Sequence, residues 1–223
     1  MQNIKVSVDA VVFGYDGSDL SVLLINRKIE PFQGDWALPG GLVRDEESLE
    51  TAVKRELQEE TGVRIDYLEQ LYSFGDIDRD PRNRVISVSY FALVRPSQFE
   101  LIASTDAAAA KWFPCTTLPV LAFDHLNIVQ KALERLRGKV HYQPIGFNLL
   151  DQEFPFGALE NLYVAILGRA IDRRNFRKKV LGFGILESTN RYIQQEKGRP
   201  GKLYQFNARK YHQLEKKGLI FDI

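Results

Sequence analysis

The sequence predicts two domains, a mixed α/β domain followed by a smaller α+β domain in which two helices precede a β-hairpin. Three observations support this prediction. Strand-like segments alternate with amphipathic helices up to about Gly138, the order from Phe154 onward is helix, turn, helix and hairpin, and the two halves carry opposite net charge. We therefore expect domains at residues 1–138 and 154–223, joined by a linker at 139–153.

The composition is that of a globular protein. Of the 223 residues, 44% are hydrophobic and 26% are charged, which argues against disorder. No apolar run approaches the roughly 18 residues that a membrane-spanning helix needs, so we expect no membrane partner. The N-terminal segment lacks the pattern of a secretory signal, and the single Cys115 cannot form an internal disulfide. These features predict a cytoplasmic protein.

The net charge of +1 hides a strong asymmetry. Residues 1–138 carry 15 basic and 21 acidic side chains, a net charge of −6. Residues 139–223 carry 15 basic and 8 acidic side chains, a net charge of +7. A basic C-terminal half joined to an acidic body indicates a polyanionic partner for the basic part, although small domains also differ in charge without such a partner.

In the first domain, segments rich in β-branched and aliphatic residues predict strands, and apolar residues at helical spacing predict helices. The last helix should end near Gly138, since helices often end at glycine. The predicted strands are Val6–Phe13, Leu20–Ile25 and Arg84–Val94, and the predicted helices are Leu49–Glu60 and Leu126–Leu136.

In the second domain, Ala158–Leu167 is apolar at helical spacing and stops at Gly168. Asp172 is a candidate N-cap for a second helix that runs to about Leu181. A short strand at Gly184–Glu187 and a glycine-containing turn within Arg191–Phe206 predict the hairpin.

The strongest local signal is the segment GLVRDEESLETAVKRELQEETGV, from Gly41 to Val63. It fits the pattern G-x(5)-E-x(7)-R-E-U-x-E-E-x-G-U, in which U is aliphatic, at every fixed position. This part of the chain resembles the Nudix hydrolase family, whose fold also agrees with the preceding strands. The matching residues are Gly41, Glu47, Arg55, Glu56, Leu57, Glu59, Glu60, Gly62 and Val63.

The spacing of the glutamates can be interpreted without the resemblance. At about 100° per residue, Glu56, Glu59 and Glu60 overlap the apolar face of their helix. Three carboxylates turned toward a core repel one another unless a cation lies between them, and Mg²⁺ prefers such oxygen ligands. The alternative is an exposed charged helix with these glutamates on its solvated side.

The resemblance assigns a role to each residue of this segment. It implies that Glu56, Glu59 and Glu60 bind metal, that Glu59 and Glu60 are catalytic if the chain is active, and that Glu47 and Arg55 brace the loop and helix, with Gly41 and Gly62 as structural positions. It further implies hydrolysis of a nucleoside diphosphate linked to another group. The general base stays open among Asp76, Asp78, Asp80, Glu100 and Asp106.

The helix that follows Asp172 is strongly basic. Phe176 and Val180 are four residues apart and can pack inward, which turns most of the cations outward. An α-helix fits the major groove of double-stranded DNA, where Arg and Lys recognise guanine and Asn recognises adenine. A solvated face is the alternative. The candidate DNA-binding residues are Arg173, Arg174, Asn175, Arg177, Lys178 and Lys179 on the helix, with Lys197, Arg199 and Lys202 on the hairpin.

A narrower resemblance covers nearly the whole chain. A Nudix-like domain containing LAFDHL (Leu121–Leu126), followed by NFRKKV and GRPGKLY, resembles the Nudix-type transcriptional regulators, which end in a winged helix. This implies a homodimer that binds an operator and senses ADP-ribose or a pentose. The branch that controls NAD synthesis often has a damaged Nudix box, whereas this box is complete, which leaves open either residual hydrolysis or another branch. The chain more closely resembles the arabinose-utilisation regulators, although no single residue indicates that sugar.

Two further residues are candidates for the ligand site, and a third, His125, is not. Arg27 could contact a diphosphate or, as the structural alternative, brace Glu47. Trp36 could line the ligand cleft or belong to the core. His125 lies beside an aliphatic run, where a histidine is usually hydrogen-bonded packing, so we do not predict a catalytic role for it.

Together these observations predict a DNA-binding regulator in which a Nudix α/β sandwich senses a sugar or sugar nucleotide and a winged helix binds DNA. The alternative is a metal-dependent hydrolase of ADP-ribose-like substrates with an accessory C-terminal domain.

Overall fold

The computed structural model describes residues 3–65, 67–101, 107–194 and 200–223. Two compact units divide between Arg135 and Leu136, with residues Gly17–Asp19 belonging to the second. None of the helices in these described parts combines the length and apolar character needed to cross a bilayer.

The first unit is built on a mixed β-sheet, as the sequence predicted. Strand β1 lies in the middle, parallel to β6 and antiparallel to β2 and β4, and β5 and β7 pair with β6 and β2. The elements are β1 (Lys5–Tyr15), β2 (Leu20–Arg27), β3 (Trp36–Ala37), β4 (Gly40–Leu42), α1 (Leu49–Thr61), β5 (Tyr67–Phe74), β6 (Val85–Val94), β7 (Ala107–Pro114) and α2 (His125–Tyr142).

Helix α1 forms because its apolar residues fall on one face and both its ends are capped. The Ser48 hydroxyl accepts a hydrogen bond from the Thr51 amide, and Gly62 ends the helix with a left-handed φ of 74°. Ala52, Val53 and Leu57 are fully buried against β1 and β6. Each large side chain buried in this way contributes about 1.5–3 kcal/mol, so the packing fixes which face of α1 looks away from the sheet.

Helix α2, whose residues fall in both units, is longer than the sequence predicted. Helix α2 continues through Gly138 and ends at Tyr142. It ends there because Gln143 precedes Pro144 and is extended, with φ −138° and ψ 139°, as the residue before a proline prefers. The stretch predicted as a linker is folded, since it includes a 3₁₀ helix at Pro144–Leu149 with most of its residues buried.

The second unit has the predicted order of two helices and a hairpin. Strands β9 and β10 are antiparallel, and the short β8 pairs with β10. Asp172 caps α4 as predicted, because its carboxylate accepts from the Asn175 amide at 3.0 Å. The strand predicted at Gly184–Glu187 begins later and is longer. The elements are β8 (Phe154–Pro155), α3 (Phe156–Leu167), α4 (Arg173–Gly182), β9 (Leu186–Ile193), β10 (Gly201–Phe206) and α5 (Ala208–Glu215).

Candidate functional site

Strand β4 and the loop that follows it approach the acidic side of α1 closely at Gly41. A Cβ atom on Gly41 would lie 2.7 Å from the carboxyl carbon of Glu56. Such an approach is shorter than van der Waals contact, so any larger residue would displace the carboxylate or the loop. Gly41 therefore keeps the loop against the acidic side of α1.

Arg55 of α1 pairs with carboxylates of the helix and of the loop before it. Its guanidinium donates to the Glu47 carboxylate at 2.6 and 2.9 Å and to Glu56 at 2.6 Å. Hydrogen bonds from Arg55 lower the pKa of Glu47 to about 2. The ion pair joins the loop before α1 to the helix, which is the arrangement that the resemblance implied for Glu47 and Arg55.

The three glutamates of the predicted metal site do not all face the same way. Glu60 is buried and accepts a hydrogen bond from the Gly40 amide at 2.8 Å, and Glu56 lines the same pocket as Glu60. The Glu59 side chain is instead 49% exposed, 3.2 Å from Arg55 and 3.6 Å from Arg44. Glu59 lies at the edge of the apolar face, and the two arginines hold its carboxylate toward solvent.

The two inward carboxylates lie in an environment that disfavours negative charge. Burial raises the pKa of Glu60 to about 8, and the nearby Glu56 and Asp9 carboxylates contribute. Burial also raises the pKa of Glu56. Oxygen donors of this kind fit Mg²⁺, but within the described residues no three His, Cys, Asp or Glu side chains are arranged to hold a metal ion. Glu56 and Glu60 thus fit a metal ion in chemistry, whereas Glu59 would first have to turn inward.

Glu56 and Glu60 belong to the wall of a pocket of about 470 Å³. This volume falls in the range of small-molecule sites. Six cationic and four acidic side chains are among the described residues that line it, so the pocket favours an anionic ligand. These are Lys5, Arg27, Arg44, Arg55, Arg79 and Arg82, and Asp9, Glu56, Glu60 and Asp80.

A buried ion-pair network holds one side of this pocket. Arg79, whose side chain is 4% exposed, donates to both carboxylate oxygens of Asp124 at 2.7 and 3.0 Å. It also lies 3.5 Å from Asp9, which accepts a hydrogen bond from Ser87. The network therefore joins four parts of the chain. These are β1, β6, the loop between β5 and β6 that carries Arg79, and the residue before α2.

His125 has the packing role that the sequence suggested. Its Nδ1 accepts a hydrogen bond from the Leu38 amide at 2.9 Å, and burial lowers its pKa. Because Nδ1 accepts this hydrogen bond, the imidazole is neutral. It holds Leu38, which lies between β3 and β4.

Arg27 and Trp36, which the sequence suggested as ligand contacts, differ in their position relative to the pocket. Arg27 lines the pocket but does not brace Glu47; it donates to the Pro31 carbonyl at 3.0 Å. Trp36 is not among the residues that line the pocket, because its ring packs edge to face on Phe113 with 4.6 Å between centroids.

Of the four candidate general bases that the structure describes, only Asp80 lines the pocket. Its carboxylate pairs with Arg82, and these hydrogen bonds lower its pKa. Asp76, Asp78 and Glu100 are exposed, and Asp106 lies outside the described residues.

Several residues of the pocket escaped the sequence analysis. Asp9, Phe123 and the two loop residues Arg79 and Arg82 come from three separate segments, and only their spatial approach makes them a site. The one signal of this site in the sequence was the motif LAFDHL. It contains Phe123, the network residue Asp124, and His125.

The predicted reading helix α4 divides its cations into two groups. Phe176 and Val180 are buried, which leaves Arg174, Asn175 and Lys178 on the exposed outer face. The other three cations contact this same unit. Arg173 donates to Glu160 at 3.0 Å and Asn161 at 2.9 Å, Arg177 lies 4.5 Å over the Phe156 ring, and Lys179 is 3.7 Å from Asp222.

The predicted wing is described in part. Lys202 lies on β10, half-buried, opposite Tyr192 of β9. Lys197 and Arg199 lie outside the described residues.

Comparison with known proteins identifies both units. Residues 3–136 match the family model described as NUDIX domain, and residues 146–206 match the model described as NrtR DNA-binding winged helix domain. An ADPR-responsive transcriptional repressor, NtrR of Acinetobacter baylyi, is 34% identical over 92% of this chain and 83% of its own length. An ADP-ribose pyrophosphatase of Methanocaldococcus jannaschii is 42% identical over 56% of this chain and 70% of its own.

Similar solved structures indicate the same kind of protein as the repressor relative does. NrtR of Shewanella oneidensis, complexed with a 27mer DNA, matches with a TM-score of 0.81 and 35% identity over 93% of this chain and 95% of its own. Its NUDIX domain complexed with ADP-ribose matches with a TM-score of 0.56 and 39% identity over 61% of this chain and 90% of its own. These relatives support the ADP-ribose branch of the regulators; the arabinose branch, which the sequence resemblance favoured, receives no support from them.

The buried network generates a prediction about stability. Replacing Arg79 with alanine leaves the buried Asp9 and Asp124 carboxylates without this partner, and such a change costs about 3–5 kcal/mol. We expect urea denaturation without ligand to show a loss of this size in the free energy of unfolding.

Lys131→Ala is the matched control, because it breaks an exposed pair with Glu134 and should cost at most about 1 kcal/mol. A loss below about 1 kcal/mol for Arg79→Ala would contradict the role given to the network.

Proposed function

We propose that this chain, which belongs to the Nudix family and carries an NrtR-type winged helix domain, is a transcriptional repressor. Its effector is ADP-ribose. The observation that carries the proposal is the cation-rich pocket in the unit that matches the Nudix family, in a chain whose second unit exposes a basic helix. Binding of ADP-ribose in the pocket changes the affinity of the second unit for its operator.

The charge of the pocket supports ADP-ribose over a free pentose. ADP-ribose carries a diphosphate, and guanidinium groups bind phosphate oxygens through paired hydrogen bonds. A neutral sugar such as arabinose brings no charge to balance Arg27, whose hydrogen bonds within the described residues go to the neutral carbonyl groups of Pro31 and Ile29. The pocket volume of about 470 Å³ also suits a nucleotide-sized ligand.

For the operator, the exposed face of α4 supports direct contacts with base edges. Arg174 and Lys178 can donate to guanine and Asn175 can pair with adenine. Lys202, together with Arg199, would contact phosphates from the wing. The intramolecular partners of Arg173, Arg177 and Lys179 favour a role in orienting α4 and contacting the DNA backbone.

A homodimer fits this function, because helix-turn-helix regulators usually read two half-sites with two copies of the reading helix. An operator as partner also agrees with the cytoplasmic location expected from the sequence.

Hydrolysis of ADP-ribose is a second candidate, favoured by the complete Nudix box and by the pyrophosphatase relative. In this reading Glu56, Glu59 and Glu60 hold Mg²⁺, and Glu59 and Glu60 are catalytic. Bound Mg²⁺ would polarise the diphosphate and activate water. The outward position of Glu59, paired with Arg44 and Arg55, is the reason we place hydrolysis second.

Release from DNA by ADP-ribose tests the main proposal. We expect selection from a random pool of duplexes at physiological salt to recover a two-fold symmetric motif, and ADP-ribose to dissociate the purified protein from it while arabinose does not. Fluorescence anisotropy of the labelled duplex measures both. Recovery of no motif would refute the assignment of a repressor, and release by arabinose would refute the assigned effector.

Turnover of ADP-ribose separates the two candidates. A sensor should hydrolyse ADP-ribose with Mg²⁺ at least about 100-fold more slowly than the 1 s⁻¹ at the lower end of typical enzymes, as measured by release of AMP. Turnover at ordinary enzymatic rates, lost in Glu59→Gln but kept in the control Glu50→Gln on the same helix, would instead establish the hydrolase.

The reading helix generates a further prediction. Arg174→Ala should cost about 1–3 kcal/mol on the selected duplex and relax the sequence preference at one position, since it removes a contact with a base edge. Lys202→Ala should weaken binding to all duplexes alike and reduce the salt dependence, since it removes a phosphate contact.

Anisotropy titrations on the selected duplex and on duplexes with single base changes provide the comparison. Arg209→Ala, an exposed residue of α5 that our assignment leaves out, is the matched control. Normal binding by both Arg174→Ala and Lys202→Ala would mean that the DNA-reading surface lies elsewhere.

A further inference from the structure

Two arginines of the pocket share one aromatic ring. The Arg27 guanidinium carbon lies 4.8 Å from the centroid of Phe123, and that of Arg82 lies 5.9 Å from it. All three side chains line the pocket. The ring is therefore a common support for two cations that face the same space.

Two guanidinium groups so close together repel each other. Burial lowers the pKa of Arg27, and the charge of Arg82 contributes. Asp80 balances Arg82 through hydrogen bonds of 2.8 and 3.0 Å. Among the described residues, Arg27 donates only to the neutral carbonyl groups of Pro31 and Ile29, and the carboxylates of Glu60, Asp80 and Asp9 attract it from beyond hydrogen-bond distance. The negative face of the Phe123 ring supplies attraction in direct contact.

The backbone of Phe123 is held in an unfavourable conformation. Its φ of 54° lies in the left-handed region, which is uncommon for a residue with a bulky side chain. Its neighbours are each fixed elsewhere: the Ala122 amide donates to the Trp36 carbonyl at 2.8 Å, Asp124 binds Arg79, and His125 binds the Leu38 amide. Such conformations persist where the surroundings over-determine them, and they concentrate at ligand sites.

We infer that Phe123 is a positioning residue, whose ring holds Arg27 and Arg82 together so that both guanidinium groups converge on the phosphate groups of an anionic ligand. The inference rests on the proposed function and deepens it, since it names the part of ADP-ribose that this wall of the pocket recognises. Two guanidinium forks offer paired N–H donors to adjacent phosphates.

The competing explanation for the Phe123 ring is that it stacks on the nucleobase of the ligand. Phe32, which is 37% exposed and also has a left-handed φ of 64°, packs edge to face on Phe123 with 4.7 Å between centroids. Within the described residues, no guanidinium contact links Phe32 to Arg27 or Arg82. Phe32 is thus a matched control, because its loss disturbs the packing around Phe123 and leaves the contacts of the ring with both arginines.

The test is isothermal titration calorimetry of the full-length protein with three probes, without added divalent cations and with EDTA present. Inorganic pyrophosphate reports the phosphate site, adenosine reports the base site, and ADP-ribose reports both. The variants are Phe123→Leu, Phe123→Tyr and Phe32→Leu, and thermal denaturation shows that each is folded. Leucine at position 123 experiences a backbone strain similar to that of phenylalanine, so the comparison isolates the ring.

We expect Phe123→Leu to weaken pyrophosphate and ADP-ribose by about tenfold, equivalent to about 1.4 kcal/mol and within the range of partly desolvated cation–π contacts. Phe123→Tyr should restore both affinities to within about twofold of wild type, because its ring also attracts cations. Adenosine affinity should not change, and Phe32→Leu should bind pyrophosphate as the wild type does.

Three outcomes would overturn the inference: unchanged pyrophosphate binding by Phe123→Leu, an equal loss in Phe32→Leu, or a loss confined to adenosine and ADP-ribose, which would indicate stacking on the base. Failure of the wild type to bind pyrophosphate would also overturn it. Wild type that binds pyrophosphate but not ADP-ribose would instead refute the proposed effector, while the comparison of variants with pyrophosphate still decides the role of Phe123.

Discussion

The ion pair between Arg79 and Asp124 is the interaction on which the ligand pocket depends. Moving charges out of water is costly, and a buried guanidinium is tolerated when carboxylates compensate it with good geometry. Here Asp124 accepts two hydrogen bonds and Asp9 lies on the other side. Since these residues come from three distant segments, the pair fixes the segment before β6 and the segment before α2 against β1. The left-handed backbone of Phe123 follows from this anchoring, because its next neighbour is one of the anchored residues.

The same balance of charge determines the state of the acidic helix α1. Arg55 satisfies Glu47 and Glu56, and together with Arg44 it draws Glu59 outward. The carboxylates that the Nudix pattern supplies are thus largely compensated by arginines of the chain itself. Arg27 differs, because within the described residues its hydrogen bonds go to neutral carbonyl groups, so an anionic ligand such as a diphosphate can balance its charge. That is the physical basis for preferring a sensor to a hydrolase.

The sequence predicted what depends on neighbouring residues and missed what depends on distant ones. The apolar spacing and the Ser48 and Gly62 caps of α1 are local, and that helix was predicted to within one residue. Strand β7 was missed because AAAA at 107–110 has low β-propensity, and only its pairing with β2 makes it a strand. Helix α5 was also missed; it has eight residues, of which Tyr211 is the buried one. Asp9 and Arg79 could not be recognised as partners, since 69 residues of sequence separate them.

Helix α4 shows why a count of cations is a poor guide to a DNA-binding surface. The helical spacing in the sequence predicts Arg173 and Arg177 on the flanks and the other basic residues outward, but it does not predict which of them bind partners within the protein. In the folded unit, Arg173 and Arg177 lie on the flank toward α3, where Glu160 and the Phe156 ring bind them, whereas Arg174 and Lys178 lie opposite the buried Phe176 and Val180. A cation already bound within the protein loses that contact when it binds DNA, so it gains less from a phosphate or a base than an exposed one. The proposed recognition of a DNA sequence therefore rests on the outer face of the helix rather than on its total charge.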